Sequence, residues 1–463
     1  MGLWDKYRPE LVTDLYELTM AASYLEERMS GDATFSLFIR DYPDWRSYFV
    51  SAGIDHLMEL LADLRFDEST LEYIASLGKF SPKFLEYLRH FRFSGTVRAI
   101  PEGRIFFTQE PIVEVTAPII EAQIVETLVM NVVQLETMMA SKAARMVQAA
   151  RGNGLIDFGM RRSHGVDAAV KAARASYIVG FQGTSNLLAG KLYGIPVYGT
   201  MAHSYVTSFP CELDAYSAFA RTFPDNAVLL IDTYDTLSGA RKAIETARLL
   251  EQKGKRLIAV RLDSGDMAEL SRQVRLILDQ AGLVDVQVMA SGNLDEFRIE
   301  SLVSSGAKID TYAVGTRLCV SADAPYLDIA YKLVEYDGKP ILKLSTGKKT
   351  WIGKKQVYRA YDAQGMMEHD SLCLAELSEH AEGEPLLRKV MEKGQPCYEP
   401  EPLEKIRARF MDDWRRLPMA IREIRPSENL RVEVSDSLRE MDESVSRKKR
   451  VEEVDPWSPS VLN

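Results

Sequence analysis

Seven times between Ile156 and Leu318 an apolar run ends in small polar residues, and a helix-like stretch usually follows. The tips read Asp157-Phe-Gly-Met-Arg161, Gly183-Thr-Ser185, Gly199-Thr-Met-Ala-His203-Ser, Asp232-Thr-Tyr-Asp235, Arg261-Leu-Asp-Ser-Gly-Asp266, Ser291-Gly-Asn293 and Gly315-Thr-Arg317. Alternating βα units build a parallel sheet covered by helices, and such sheets collect their chemistry at the carboxyl ends of the strands. The polar tips are therefore expected to converge on one site. Their Gly, Thr, Ser, Asp and Arg residues suit a phosphate-bearing ligand. Seven units fall short of the regular eight. An irregular barrel, or a further strand near residues 128–133, would explain the difference.

The flanking segments have a different rhythm. Residues 10–93 read mainly as helices, with Thr13 capping one that starts at Asp14 and a second over residues 54–64. Between them, residues 34–39 alternate like a strand. Residues 95–100 and 112–117 flank turn residues as small antiparallel pairs do, and a long helix is expected over residues 121–150. After Pro325, residues 331–336 and 341–344 sit either side of Asp337-Gly338, a strong hairpin signal, and residues 354–361 precede another turn. This late β region is expected to pack with the strands near residues 95–117. The fold class is thus α/β: an irregular (β/α) barrel with a second, discontinuous α+β domain. The expected division is 1–120 and 326–424 for the second domain, 121–325 for the barrel and 425–463 for a charged C-terminal tail. Within that tail, residues 448–453 read as solvated and the end as weakly ordered.

Bulk properties exclude several classes. A net charge of -10 argues against general nucleic-acid binding, which relies on basic surface. Cys211, Cys319, Cys373 and Cys397 are scattered without a CxxC pair, which fits a reducing cytosol better than a disulfide framework or zinc knuckle. The N-terminal residues lack an apolar signal core, and no run approaches the ~18 apolar residues of a membrane span. A cytoplasmic protein is expected, with no nucleic-acid or membrane partner.

Individual tips leave their chemistry open. Asp263 and Asp266 can accept from ribose hydroxyls or face a Mg²⁺ shell, although Asp266 alone fits a helix cap equally well. Gly292 and Gly315 on successive late strands would let backbone N–H groups approach a phosphate, but each alone reads as a turn glycine. Phe158 beside Arg161 and Arg162 can stack on and pair with a flat anion, or be a core ring with surface cations. His203 can be a base, a metal ligand, a phosphoryl acceptor or a structural residue. No tip carries a Lys, which disfavours Schiff-base chemistry.

Taken in order, six segments resemble the nicotinate phosphoribosyltransferases. They are Thr13-Asp-Leu-Tyr16-Glu-Leu-Thr-Met, Ile156-Asp-Phe-Gly-Met-Arg-Arg-Ser-His-Gly, Phe181-Gln-Gly-Thr-Ser-Asn, Gly199-Thr-Met-Ala-His-Ser, Val260-Arg-Leu-Asp-Ser-Gly-Asp and Val314-Gly-Thr. The resemblance implies a type II phosphoribosyltransferase fold working as a homodimer with shared active sites. It implies condensation of nicotinate with phosphoribosyl pyrophosphate, coupled to ATP hydrolysis through a phosphohistidine at His203, with Mg²⁺ as cofactor and no direct metal ligation by the protein. Phe158 would stack on the pyridine ring and Tyr16 would close its other face, from the partner subunit. Arg161, Thr200 and Arg261 would bind nicotinate or the donor, Asp263 would face the ribose, and Gly292, Asn293, Gly315 and Thr316 the 5-phosphate. Ser345 or Thr346 falls near a donor-binding position. Ser185 stands where similar nicotinamide enzymes look to carry an Asp, which favours the acid over the amide, since a carboxylate there would repel another. The rivals are the same reaction on nicotinamide, a non-catalytic phosphosugar-binding barrel and a generic barrel isomerase.

Overall fold

Residues 8–344, 350–380 and 382–454 are described by a computed structural model. They divide into two compact units, one formed by Met139–Pro325 and the other by Met1–Met138 with Tyr326–Asn463.

The unit 139–325 holds six parallel strands: Gly154–Asp157, Gly183–Thr184, Val228–Leu230, Ala259–Leu262, Gln287–Ala290 and Thr311–Val314. Numbered first to sixth along the chain, they lie in the order second, first, sixth, fifth, fourth, third. That is the circular order of a barrel with one opening, between the second and third strands. The expectation of a barrel therefore holds, but six of the seven tips follow true strands. The remaining segment, before Gly199, makes one isolated bridge from Val197 to Thr184, and the Thr200 hydroxyl donates to the Val228 carbonyl at 2.7 Å. It spans the opening with single contacts rather than a ladder. Residues 128–133 supply no strand; they lie within the helix Glu126–Ala150.

Strands of this sheet are buried along most of their length, as a sheet covered by helices requires. Inside it Ile156, Met289 and Ala313 pack together, with Phe158 resting on them. A larger cluster joins the third to fifth strands to the helices Thr236–Glu251 and Met267–Gln280 through Leu229, Val260, Val288, Ala243 and Val274.

The other unit is built on a seven-stranded sheet. In it Asp32–Ile39 pairs antiparallel with both Val113–Pro118 and Ile329–Tyr336, and Arg388–Glu392 pairs with Thr96–Ala99. Early and late segments thus share one sheet, as expected for residues 331–336, but Lys355–Tyr361 departs from the expectation: it lies in a separate four-stranded sheet, paired with Met367–Leu374. The hairpin at Asp337-Gly338 forms with φ of 49° and 68°, the left-handed pair a two-residue turn needs, although its return strand is only Lys339–Pro340.

Three local expectations are corrected. The helix expected over 121–150 breaks at Val125, leaving Ile119–Ile124 and Glu126–Ala150. Thr13 is not the cap of its helix: Asp14 holds that position, and the Thr13 hydroxyl instead donates to the buried Glu17 carboxylate at 2.6 Å. The C-terminal stretch is not all tail. Arg431–Val434 pairs parallel with Met367–Leu374, and Ser435 caps the helix Asp436–Glu453. Lys448 and Lys449 do lie on its solvated surface, and the Pro456-Trp-Ser-Pro459 end falls outside the described residues.

Candidate active site

The carboxyl ends of the first and second strands are tied by one buried carboxylate. Asp157 accepts from the Gly159 N–H at 2.7 Å and from the Thr184 hydroxyl at 2.6 Å, and Thr184 in turn accepts from the Asn186 N–H at 2.9 Å. Burial pushes the Asp157 carboxyl up to about 6, against the pull of these two donors. Its backbone carbonyl accepts from the Ser185 N–H at 2.7 Å, so the Phe158 and Ser185 tips are held as a pair. Gly159 is required: a Cβ there would lie 2.3 Å from the Cys319 sulfur. Phe158 keeps its ring half-buried on the inner cluster, and Arg161 is exposed just beyond, on the short turn Met160–Arg162.

Arg261 is the most constrained cation here. It lies opposite Met289 in the register of neighbouring strands, and Met289 belongs to the inner cluster. Burial pulls its guanidinium down from the usual value; Asp263 and Asp232 act in the opposite direction, and the charge of Arg161 adds to the lowering. Its Nε is buried with no hydrogen-bond partner. Buried donors without partners are rare in folded proteins and point to a missing acceptor. Asp263 itself is held twice, its carboxylate by the Ser291 hydroxyl and its N–H by Asp232 at 3.0 Å.

Asp232 is the residue that sequence reasoning missed. Its Oδ2 also accepts from the Ser264 hydroxyl at 2.6 Å, whereas Oδ1 is buried without a partner. The tip Asp232-Thr-Tyr-Asp235 was visible, but a bond to a backbone N–H 31 residues away, at the end of the next strand, leaves no sequence pattern. Next to it, the Thr233 hydroxyl lies 3.1 Å from Nδ1 of His203, which opens the helix His203–Thr207 and is partly exposed. Thr200 is also partly exposed, with its hydroxyl committed to Val228.

The late tips make a close-fitting backbone loop. Gly292 has φ of 94°, and a Cβ on it would meet the Asp263 carbonyl at 2.1 Å. Asn293 follows with φ of 53°, a left-handed conformation that Asn tolerates better than most residues. Its side-chain oxygen accepts from Arg317 at 3.2 Å, so this loop is joined to the one carrying Gly315 and the exposed Thr316. Asp266 behaves as a helix cap, accepting from the Ala268 and Glu269 N–H groups.

One unit thus contains Phe158, Arg161, Ser185, Arg261, Asp263, Gly292, Asn293, Gly315 and Thr316 at or just beyond its strand ends, with Thr200 and His203 on the segment that crosses the opening. Tyr16 belongs to the other unit, 46% exposed on the helix Leu15–Glu26. Ser345 and Thr346 lie outside the described residues. Among the described residues no group of three or more His, Cys, Asp and Glu could hold a metal, and no helix is long and apolar enough to cross a membrane.

The chain matches three family models in succession: the nicotinate phosphoribosyltransferase N-terminal domain over residues 11–134, the nicotinate phosphoribosyltransferase family over 154–364 and the corresponding C-terminal domain over 377–442. It is 51% identical over 388 residues to a nicotinate phosphoribosyltransferase of Mycobacterium tuberculosis, covering 83% of this chain and 82% of that one. A mouse protein of the same name is 31% identical over 519 residues, covering 94% and 96%. Among solved structures, human nicotinic acid phosphoribosyltransferase superposes with a TM-score of 0.84 at 28% identity, covering 94% of this chain and 100% of that one.

Proposed function

Because this chain belongs to the nicotinate phosphoribosyltransferase family, we infer that it joins nicotinate to phosphoribosyl pyrophosphate, releasing pyrophosphate and serving NAD salvage. The observation that carries this reading is Arg261: a partly buried guanidinium whose Nε is buried without a partner, set among Arg161, Asp232 and Asp263 beside a half-buried aromatic ring. An anion bound there would supply the acceptor that this donor lacks. Phe158 offers a face to the pyridine ring, Ser185 a neutral donor toward its carboxylate, and Arg161 the balancing charge.

Displacement at the ribose anomeric carbon passes through a cationic state, which Asp263 is suited to stabilise because Ser291 and Asp232 fix it in place. The pyridine nitrogen is the nucleophile, so no general base is needed. Gly292, Asn293, Gly315 and Thr316 form the cradle assigned to the 5-phosphate, and Thr200 contributes to binding through its backbone, its hydroxyl being engaged. Magnesium fits as an ion carried by the pyrophosphate rather than by a protein cage. Asp232 has an unpartnered carboxylate oxygen to offer such an ion. When bound, it would neutralise the leaving pyrophosphate.

ATP coupling through a phosphohistidine is assigned to His203. The Thr233 hydroxyl at Nδ1 orients its ring. A homodimer in which Tyr16 reaches the partner's site, and a cytoplasmic location suited to four free cysteines, complete the proposal. The test is His203→Ala with γ-labelled ATP. Labelling and ATP stimulation should vanish while basal transfer persists; undiminished labelling would remove His203 from the coupling role.

A further inference from the structure

The two loops assigned to the 5-phosphate are joined at their roots by a buried ion cluster that takes no part in the chemistry described above. Lys142, on the helix Glu126–Ala150, is 1% exposed. Its ammonium pairs with Glu296 and, at 2.7 Å, with Asp323. Glu296 is fully buried and opens the helix that follows the Ser291-Gly-Asn293 loop; Arg145 adds a second cation to it at 3.2 Å. Asp323 lies four residues beyond the short helix Thr316–Cys319 that follows Gly315. One cation on one helix therefore holds a carboxylate from the base of each loop.

A second tie lies nearer the loop tips. Arg317, from the second loop, donates to Asn293 at 3.2 Å and lies 4.0 Å from Asp295, both on the first. This bond is exposed and weak on its own. The buried cluster is different in kind: desolvated charges tolerate little change in geometry, and losing one partner leaves the others uncompensated. The spacing of the two loops is thus set mainly from below.

We propose that Lys142, through Glu296 and Asp323, is a positioning residue that fixes the separation of the two phosphate-binding loops, and so tunes affinity for the phosphoribosyl donor without touching it. This rests on the assignment of those loops to the donor phosphate. Lys142 and Arg145 supply cations to the Glu296 and Asp323 carboxylates, so the buried charges are met by opposite ones. None of the cluster's ion pairs involves the nicotinate-side tips Phe158 and Ser185, which are tied to one another through Asp157. Disturbing it should therefore change one substrate and not the other.

The most selective variant is Asp323→Asn, which weakens the tie to the second loop and leaves Lys142 paired with Glu296. Steady-state kinetics should show KM for phosphoribosyl pyrophosphate raised by roughly 3- to 30-fold. KM for nicotinate should stay within about twofold, the range of a surface change that touches neither site. Lys142→Met should raise donor KM further, and Lys142→Arg, which keeps the charge, should recover part of the loss. Thr316→Ala, altering the cradle directly, serves as the control. If it raises donor KM while Asp323→Asn and Lys142→Met leave donor KM unchanged, or shift both substrates equally in step with a lowered melting temperature, the positioning role is wrong. If Thr316→Ala and the cluster variants all leave donor KM unchanged, the assignment of the loops to the phosphate fails as well.

Discussion

Asp157 and Gly292 illustrate how single residues shape the site. The Asp157 carboxyl is raised to about 6 by burial, against about 3.9 in an unfolded chain. The folded state then holds a proton between these values that the unfolded state has lost, so stability falls as pH rises from about 4 to 6 and the penalty is complete above that. The penalty is about 3 kcal/mol at most. Asp157→Asn should flatten the pH dependence of the urea midpoint across this window. It also turns an amide toward the Gly159 N–H, so its absolute stability near neutral pH is expected to drop rather than rise. A variant whose midpoint follows pH as steeply as the parent would count against the raised carboxyl. At Gly292 the positive φ and the 2.1 Å approach to the Asp263 carbonyl leave no room for a side chain. Gly292→Ala must displace either its own loop or Asp263, and kcat/KM for the donor should fall by about 100-fold. Full activity in this variant would mean the loop is not part of the site. Ser185→Asp should move preference from nicotinate toward nicotinamide, read as the ratio of their kcat/KM values, by roughly tenfold or more.

At the scale of elements, the opening between the second and third parallel strands is the fold's main irregularity. The segment before Gly199 crosses it with one backbone bridge and one threonine hydroxyl. Gly183 makes this possible, because a Cβ on it would meet the Pro196 carbonyl at 2.2 Å. Gly183→Ala should therefore push the bridge off and cost about 1–3 kcal/mol in chemical unfolding; an unchanged midpoint would show that the bridge contributes nothing. The same irregularity explains what was legible in the sequence. The apolar run ending at Val260 overlaps the strand Ala259–Leu262, although Ile258 before it is exposed, and its polar tip marks the site, because strand burial and strand direction are largely local properties. The crossing segment read as a seventh strand because its composition matches one; the lack of a ladder depends on its partners Thr184 and Val228, which local sequence does not reveal. Thr13 and Val125 were misread for a related reason. Whether Thr13 caps its helix depends on Glu17 being buried, and the break at Val125 is invisible in a continuous apolar pattern.

For the whole molecule, early and late strands share one sheet and residues 139–325 form their own unit between them in sequence. Hydrophobic alternation indicated which segments are strands; family resemblance supplied the roles of the tips. Neither could have found Asp232 or the Lys142 cluster, whose partners are set by tertiary packing alone. The central claim is that the tips gather a flat acid and a phosphorylated sugar and join them. It is tested most directly by measuring pyrophosphate release from the purified 463-residue chain given phosphoribosyl pyrophosphate with nicotinate or nicotinamide, each with and without ATP. Release should require nicotinate, should be increased by ATP, and should yield nicotinate mononucleotide in equal amount. Donor binding without pyrophosphate release, or release that nicotinamide supports as well as nicotinate does, would contradict it.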